Sequence, residues 1–120
     1  MYAIILGLIL GADPDNWQSS EQPYLKNITQ LTSSFVRAGE GYFSPDANNI
    51  IFQAEEKESG NPFYQIFSMN LTSKKIMRVS PGLGKTTCSY FSPDGGKIIF
   101  ASSHLDPKAK EYYGEEIQAP

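Results

Sequence analysis

This 120-residue chain is poor in the residues that most often carry catalysis. Cys88 is its only cysteine, so an intramolecular disulfide is excluded. His104 is its only histidine, and no serine-centred nucleophile motif accompanies it. An excess of basic charge is also lacking, with 10 Lys and Arg against 13 Asp and Glu. The formal net charge is −3, where a nucleic-acid-binding domain of this size is usually basic, so that class is set aside. No hydrophobic run is long enough to span a bilayer as a helix; the longest apolar stretch covers residues 3–12. That stretch ends in Gly11-Ala12 and reads as the core of a secretory signal peptide, although no Lys or Arg precedes it. No cysteine follows to take a lipid anchor. Residues 13–23 are polar, with two prolines and Trp17, and read as a linker.

The chain is rich in aromatic and β-branched residues. Seven Tyr and seven Phe lean it towards strands. One stretch organises the rest: Tyr90-Phe91-Ser92-Pro93-Asp94-Gly95-Gly96-Lys97-Ile98-Ile99-Phe100. Pro93 presets φ for a turn, Asp94 accepts from nearby backbone N–H groups, and Gly95 or Gly96 supplies a positive φ. The apolar run Ile98-Ile99-Phe100 then suits a strand buried on both faces. The same unit stands 48 residues earlier as Tyr42-Phe43-Ser44-Pro45-Asp46-Ala47-Asn48-Asn49-Ile50-Ile51-Phe52. There Asn48 and Asn49 are the residues expected to tolerate a left-handed backbone.

A fixed repeat divides the chain. Strands are expected over residues 41–44, 49–55, 63–71 and 75–80, the last being the most polar and outermost. A second unit starts near Thr87 and runs to about Ser103, and residues 24–32 align with the fourth strand of a preceding unit. Four antiparallel strands per repeat is the pattern of a β-propeller blade. The expected architecture is therefore all-β: a leading outer strand (24–32), one blade (41–80) and an incomplete second blade (87–120). A ring needs more blades than these, so a longer parent protein is expected, and the piece alone should be poorly soluble because apolar faces and strand edges stay open.

Residues 91–100 resemble the Ser-Pro-Asp-Gly repeat of TolB-type, WD40-like β-propellers. The pairs Leu31-Thr32 and Val79-Ser80 resemble the Leu-Thr that closes a blade in that family. Phe43 and Phe91 stand where Trp is common, and Ala47 replaces the turn glycine in the first copy. The resemblance implies a periplasmic or secreted protein that docks protein or cell-envelope polymer, without enzymatic activity and without a cofactor or metal. It also implies an alternative: a regulatory propeller fused to a hydrolase of the prolyl-oligopeptidase type.

Candidate site residues follow from the alternation of turns. Short turns at one rim carry Ser44, Pro45, Asp46, Ser92, Pro93, Asp94 and Gly95, all read as structural. The opposite rim carries the longer loops over residues 33–40, 55–62, 81–86 and from His104 onward, and long loops on a rigid scaffold are where binding concentrates. Arg37, Glu40, Lys85 and His104 are the candidate binding residues there. Gly84-Lys85-Thr86 has the end of a phosphate-binding loop, but Val79 occupies the place of its first glycine and a strand follows, so Lys85 reads as a loop residue. His104 has Asp106 nearby as a possible orienting group, yet a loop histidine is the simpler reading. Cys88 is expected to be buried as a small hydrophobe. The sequons at Asn27 and Asn70 are read as coincidental.

Overall fold

The computed structural model describes residues 24–113, so the expected signal peptide and linker, and the last seven residues, lie outside it. The chain divides into two units, Met1–Leu31 and Thr32–Pro120. The described part of the first unit is irregular: residues 24–31 contain no strand, and Asn27 adopts φ 57°. The expected leading outer strand is therefore not formed over these residues. A strand satisfies its N–H and C=O groups only through a neighbour, and residue-class alignment with another strand supplies none.

The second unit is all-β. Among the described residues it holds an antiparallel four-stranded sheet in the order β1 (Arg37–Phe43), β2 (Asn49–Glu55), β3 (Gln65–Asn70), β4 (Ile76–Arg78). A separate hairpin follows, β5 (Thr86–Phe91) with β6 (Ile98–Ser102). No helix among the described residues is long and apolar enough to cross a membrane. The strands match the sequence reading closely, except that β1 begins four residues earlier than expected and β4 is shorter.

The two hairpins are copies of one another, residue for residue. Ala38↔Ala54, Gly39↔Gln53, Tyr42↔Ile51 and Phe43↔Ile50 pair in the first. Thr86↔Ser102, Thr87↔Ala101, Tyr90↔Ile99 and Phe91↔Ile98 pair in the second, each partner displaced by the same 48 residues. Even the irregularity is shared. Two residues of β1 face one of β2 between Gly39 and Tyr42, and two of β5 face one of β6 between Thr87 and Tyr90. The first bulge residue is left-handed in both, Glu40 at φ 49° and Cys88 at φ 54°. This bulge reverses which side chain faces inward. Cys88 is exposed, contrary to the sequence reading, and Ser89 is buried in its place.

The tight turns are also copies. Ser44 N–H donates to Asn49 O at 2.8 Å while Ser44 Oγ accepts from Asn49 N–H at 2.9 Å. Ser92 makes the same pair with Lys97, at 2.9 Å each. Asp46 Oδ1 accepts from Ser44 Oγ (2.6 Å) and Asn48 N–H (3.1 Å); Asp94 Oδ1 accepts from Ser92 Oγ (2.5 Å) and Gly96 N–H (3.0 Å). The left-handed residue is Ala47 (φ 55°) in one turn and Gly95 (φ 72°) in the other. The asparagines thus do not take the strained position. Turn closure by Ala47 N–H on Ser44 O at 2.8 Å fixes which residue must bend.

The core lies against β2 and β3. Ile51, Phe52, Ala54, Ile66, Phe67 and Met69 are buried. Because neighbouring residues on a strand face opposite ways, Ile51 and Phe52 show that β2 is covered on both sides. On one side Phe35, from the loop before β1, packs its ring 5.6 Å from Phe52 and 4.7 Å from Phe67. On the other side β5 lies across the sheet, with Thr87 Oγ1 donating to Gln53 Oε1 at 2.7 Å.

Candidate functional site: the loop rim

The longer loops converge at one end of the strands, and two buried amides hold them there. Gln65 begins β3 and is 1% exposed. Its Oε1 accepts from Ser80 Oγ at 2.7 Å and from Gly82 N–H at 3.0 Å. Its Nε2 donates to Gly84 O at 2.8 Å and Tyr64 O at 2.9 Å. Every polar position of this side chain is used, which is what makes its burial tolerable. Asn61 adds a second clamp: Nδ2 donates to Gly84 O (3.0 Å) and Gly82 O (3.2 Å), and Oδ1 accepts from Phe63 N–H at 3.0 Å. Residues 81–85 are thereby fastened to the loop after β2. The segment after β6 joins them through the Tyr113 hydroxyl, which accepts from Gly84 N–H at 3.3 Å, and through the Tyr113 ring, set edge-on to Phe63 at 5.5 Å.

At Gly84 the loop before β5 comes close to the backbone that follows β6. Gly84 adopts φ 69°, and a Cβ there would come within 2.9 Å of His104 N and of Ser103. Only glycine satisfies both conditions.

Three of the four candidate residues meet at this rim. Arg37 Nε bonds Glu55 Oε2 at 2.7 Å, its NH2 donates to Pro62 O at 3.2 Å, and its guanidinium lies 4.8 Å above the Tyr64 ring. The Lys85 ammonium lies 5.4 Å above the Phe63 ring. Each cation is thus laid on an aromatic ring of the same short segment, an arrangement favoured by the negative face of the ring. His104 follows directly, its Nδ1 2.7 Å from Ser102 Oγ. Asp106 does not orient it: Asp106 Oδ1 accepts from Lys108 N–H at 2.9 Å. A second ion pair, Arg78 to Glu56 at 2.7 Å, edges the same loops.

Glu40 stands apart. It is the left-handed bulge residue of β1, on the side of Tyr42 rather than of the loops. The Tyr42 and Tyr90 ring centres lie 4.5 Å apart with the planes tilted by 40°, and their hydroxyls are 3.3 Å from each other. That hydrogen bond, with the charge of Tyr90, holds the Tyr42 phenol above its usual value; Glu40 adds to this.

At the opposite rim, the two Ser-Pro-Asp turns flank an open cleft of about 270 Å³ lined by Ser44, Pro45, Asp46, Phe91, Asp94 and Gly95. Both carboxylates are committed to their own turns. Ser44 and Asn48 hold Asp46 down at about 2, and Ser92 and Gly96 lower Asp94. Among the described residues no group of three or more His, Cys, Asp or Glu is placed to hold a metal ion.

Sequence reasoning found the rim and missed its fasteners. Gln65 reads as one polar residue in an apolar strand, and Asn61 as part of a solvated loop; nothing local in the sequence ties either amide to the glycines of residues 81–84.

Comparison with family models, curated proteins and solved structures found no match to this chain.

Proposed function

We propose that this chain is part of a TolB-like β-propeller that is exported and acts without catalysis of its own, as a binding module for protein or for a cell-envelope polymer. The observation that carries this reading is the duplicated hairpin: same turn, same bulge and same register at a constant offset of 48 residues. Units that repeat in this way, with the first continued into a four-stranded antiparallel sheet, are how blades are built. A blade buries its faces only against neighbours, and its rim loops are left to bind. Here the rim presents Arg37 and Lys85 on the rings of Tyr64 and Phe63, a surface suited to acidic or ring-bearing partners.

The test uses the full chain against two probes, purified peptidoglycan sacculi and detergent-extracted envelope proteins from a Gram-negative bacterium. Saturable binding to one of them is expected. Lys85→Glu should weaken it by about tenfold or more, as loss of a central contact does. Glu40→Ala should leave it unchanged. Equal binding by the parent chain and Lys85→Glu removes the rim from the site, and no binding to either probe removes the reading.

A further inference from the structure

The repeat brings one pair of equivalent side chains into contact. Tyr42 and Tyr90 hold the same position in the two hairpins, opposite Ile51 and Ile99. Each follows the left-handed bulge residue by two places, Glu40 in one copy and Cys88 in the other, and a bulge re-aims the side chains beyond it. The ring centres lie 4.5 Å apart with the planes tilted by 40°, and the Tyr90 hydroxyl donates to the Tyr42 hydroxyl at 3.3 Å. Centres and hydroxyls are thus close together at once, so the rings lie side by side in the same sense. A head-to-tail stack would hold the hydroxyls apart. In the observed arrangement the ring carbons ortho to one hydroxyl adjoin those ortho to the other.

No other two phenols among the described residues are set in this way. The Tyr64 ring lies under the Arg37 guanidinium. Tyr113 is edge-on to Phe63, and its hydroxyl accepts from Gly84 N–H. Tyr24 and Tyr112 are exposed and meet no other ring among the described residues. Tyr42 and Tyr90 are exposed too, so a small reagent in water reaches either ring. The pair is complete within the described residues and calls for no further strand to form it.

We propose that Tyr42 and Tyr90 are an oxidative cross-linking site, joined by a carbon–carbon bond between their ortho positions when a one-electron oxidant is present. Each phenol gives one electron to the oxidant and its hydroxyl proton to water, which leaves two phenoxyl radicals. The unpaired electrons are shared onto the ortho carbons, where they pair to form the new bond. The hydrogen on each bonded carbon then returns, as a proton, to the oxygen of its own ring, and both phenols are restored. The product lacks two hydrogen atoms, and the oxidant has taken up two electrons. The bond ties the first hairpin to the second and closes residues 42–90 into a loop. Such a closure constrains the unfolded chain as a disulfide does, and a chain with Cys88 alone has no intramolecular disulfide to do it. This site does not depend on what the loop rim binds.

The probe is photoexcited ruthenium tris(bipyridine) with limiting persulfate, a small one-electron oxidant, applied to the full chain. Unfolding and trypsin then release residues 38–57, whose only tyrosine is Tyr42, and residues 86–97, whose only tyrosine is Tyr90. These two peptides should be found joined, two hydrogen atoms lighter than their sum, as the main tyrosine–tyrosine product. The yield should not change on dilution. It should fall by about tenfold or more when the chain is oxidised in urea, because the proximity of the rings is then lost. Tyr42→Phe should abolish the joined peptide, and Tyr112→Phe should leave it. Cys88 lies near enough to act on the Tyr42 phenol, and a thiol can return an electron to a phenoxyl radical, so the oxidation is repeated with Cys88→Ser. Absence of the joined peptide from both chains overturns the proposal. So does an equal yield in urea, and so does a yield that falls on dilution, which would place the bond between two chains.

Discussion

Ile51 and Ile99 occupy the same position in two copies of one hairpin, opposite Tyr42 and Tyr90 respectively. One is fully buried and the other is 70% exposed. Neither the backbone nor the neighbouring sequence separates them, since both lie in an Ile-Ile-Phe run after a Ser-Pro-Asp turn. The difference is the surroundings. β2 has β1 and β3 at its edges, Phe35 on one face and β5 across the other, whereas among the described residues β6 has β5 alone at its edge. Local sequence therefore sets the shape of this ribbon, and neighbours set its contribution to stability.

The sharpest way to break that comparison is a pair of identical truncations. Ile51→Ala removes buried atoms from a packed site and should cost about 3 kcal/mol in chemical denaturation. Ile99→Ala removes atoms already in water and should change stability by less than about 0.5 kcal/mol. Equal losses would mean that β6 is covered in solution by something absent from the described residues. That result would merge the two environments into one.

A second substitution asks what separates the loops at the two ends of the first sheet. The turn rim is closed by each turn's own residues, but the loop rim is closed at a distance by Gln65. Gln65→Leu keeps the volume and removes four hydrogen bonds, leaving Gly82 N–H and the Ser80 hydroxyl proton without their acceptor, while Asn61 still holds Gly84 O. Buried groups left unpaired make this costly, about 2–3 kcal/mol. Proteolysis should then open residues 81–85 before the β-sheet circular dichroism is lost. Simultaneous loss of both would show that the loop is not a separate unit of stability.

How much of this was legible in the sequence follows from what each feature depends on. The repeat, the turns and the burial of Ile51 and Phe52 depend on local pattern, and the pattern was strong. The exposure of Ile99 depends on the lack of a neighbour, which an apolar run cannot report. Cys88 was misread because a bulge changes inward to outward without any residue that must mark it; Glu40 fills the same place in the first copy. Ala47 was passed over because its left-handed φ is set by closure of the turn on Ser44, and closure overrode the preference of Asn48 and Asn49. The rim candidates were half legible. Strand alternation grouped Arg37, Lys85 and His104 correctly by end, but Glu40 required knowing that β1 starts at Arg37.

The smallest expected effect separates the two turns themselves. Asp46 accepts one bond that Asp94 lacks, from Asn48 Nδ2 to its Oδ2 at 2.9 Å, because glycine occupies the corresponding place in the second turn. Asp46 is held at about 2, below the usual 3.8, first by Ser44 and then by Asn48. Asp94 is lowered first by Ser92 and then by Gly96. A carboxyl depressed in the folded state adds stability above its unfolded value, and that contribution is lost as pH falls through its folded value. The contribution of Asp46 should therefore be present above about pH 4 and disappear towards pH 2. A carboxyl-carbon NMR titration should find Asp46 ionising at lower pH than Asp94. Asn48→Gly should move Asp46 up towards Asp94 and leave Asp94 in place. If Asp46 does not move, the side-chain amide plays no part, and the two turns differ only in the residue that bears the left-handed φ.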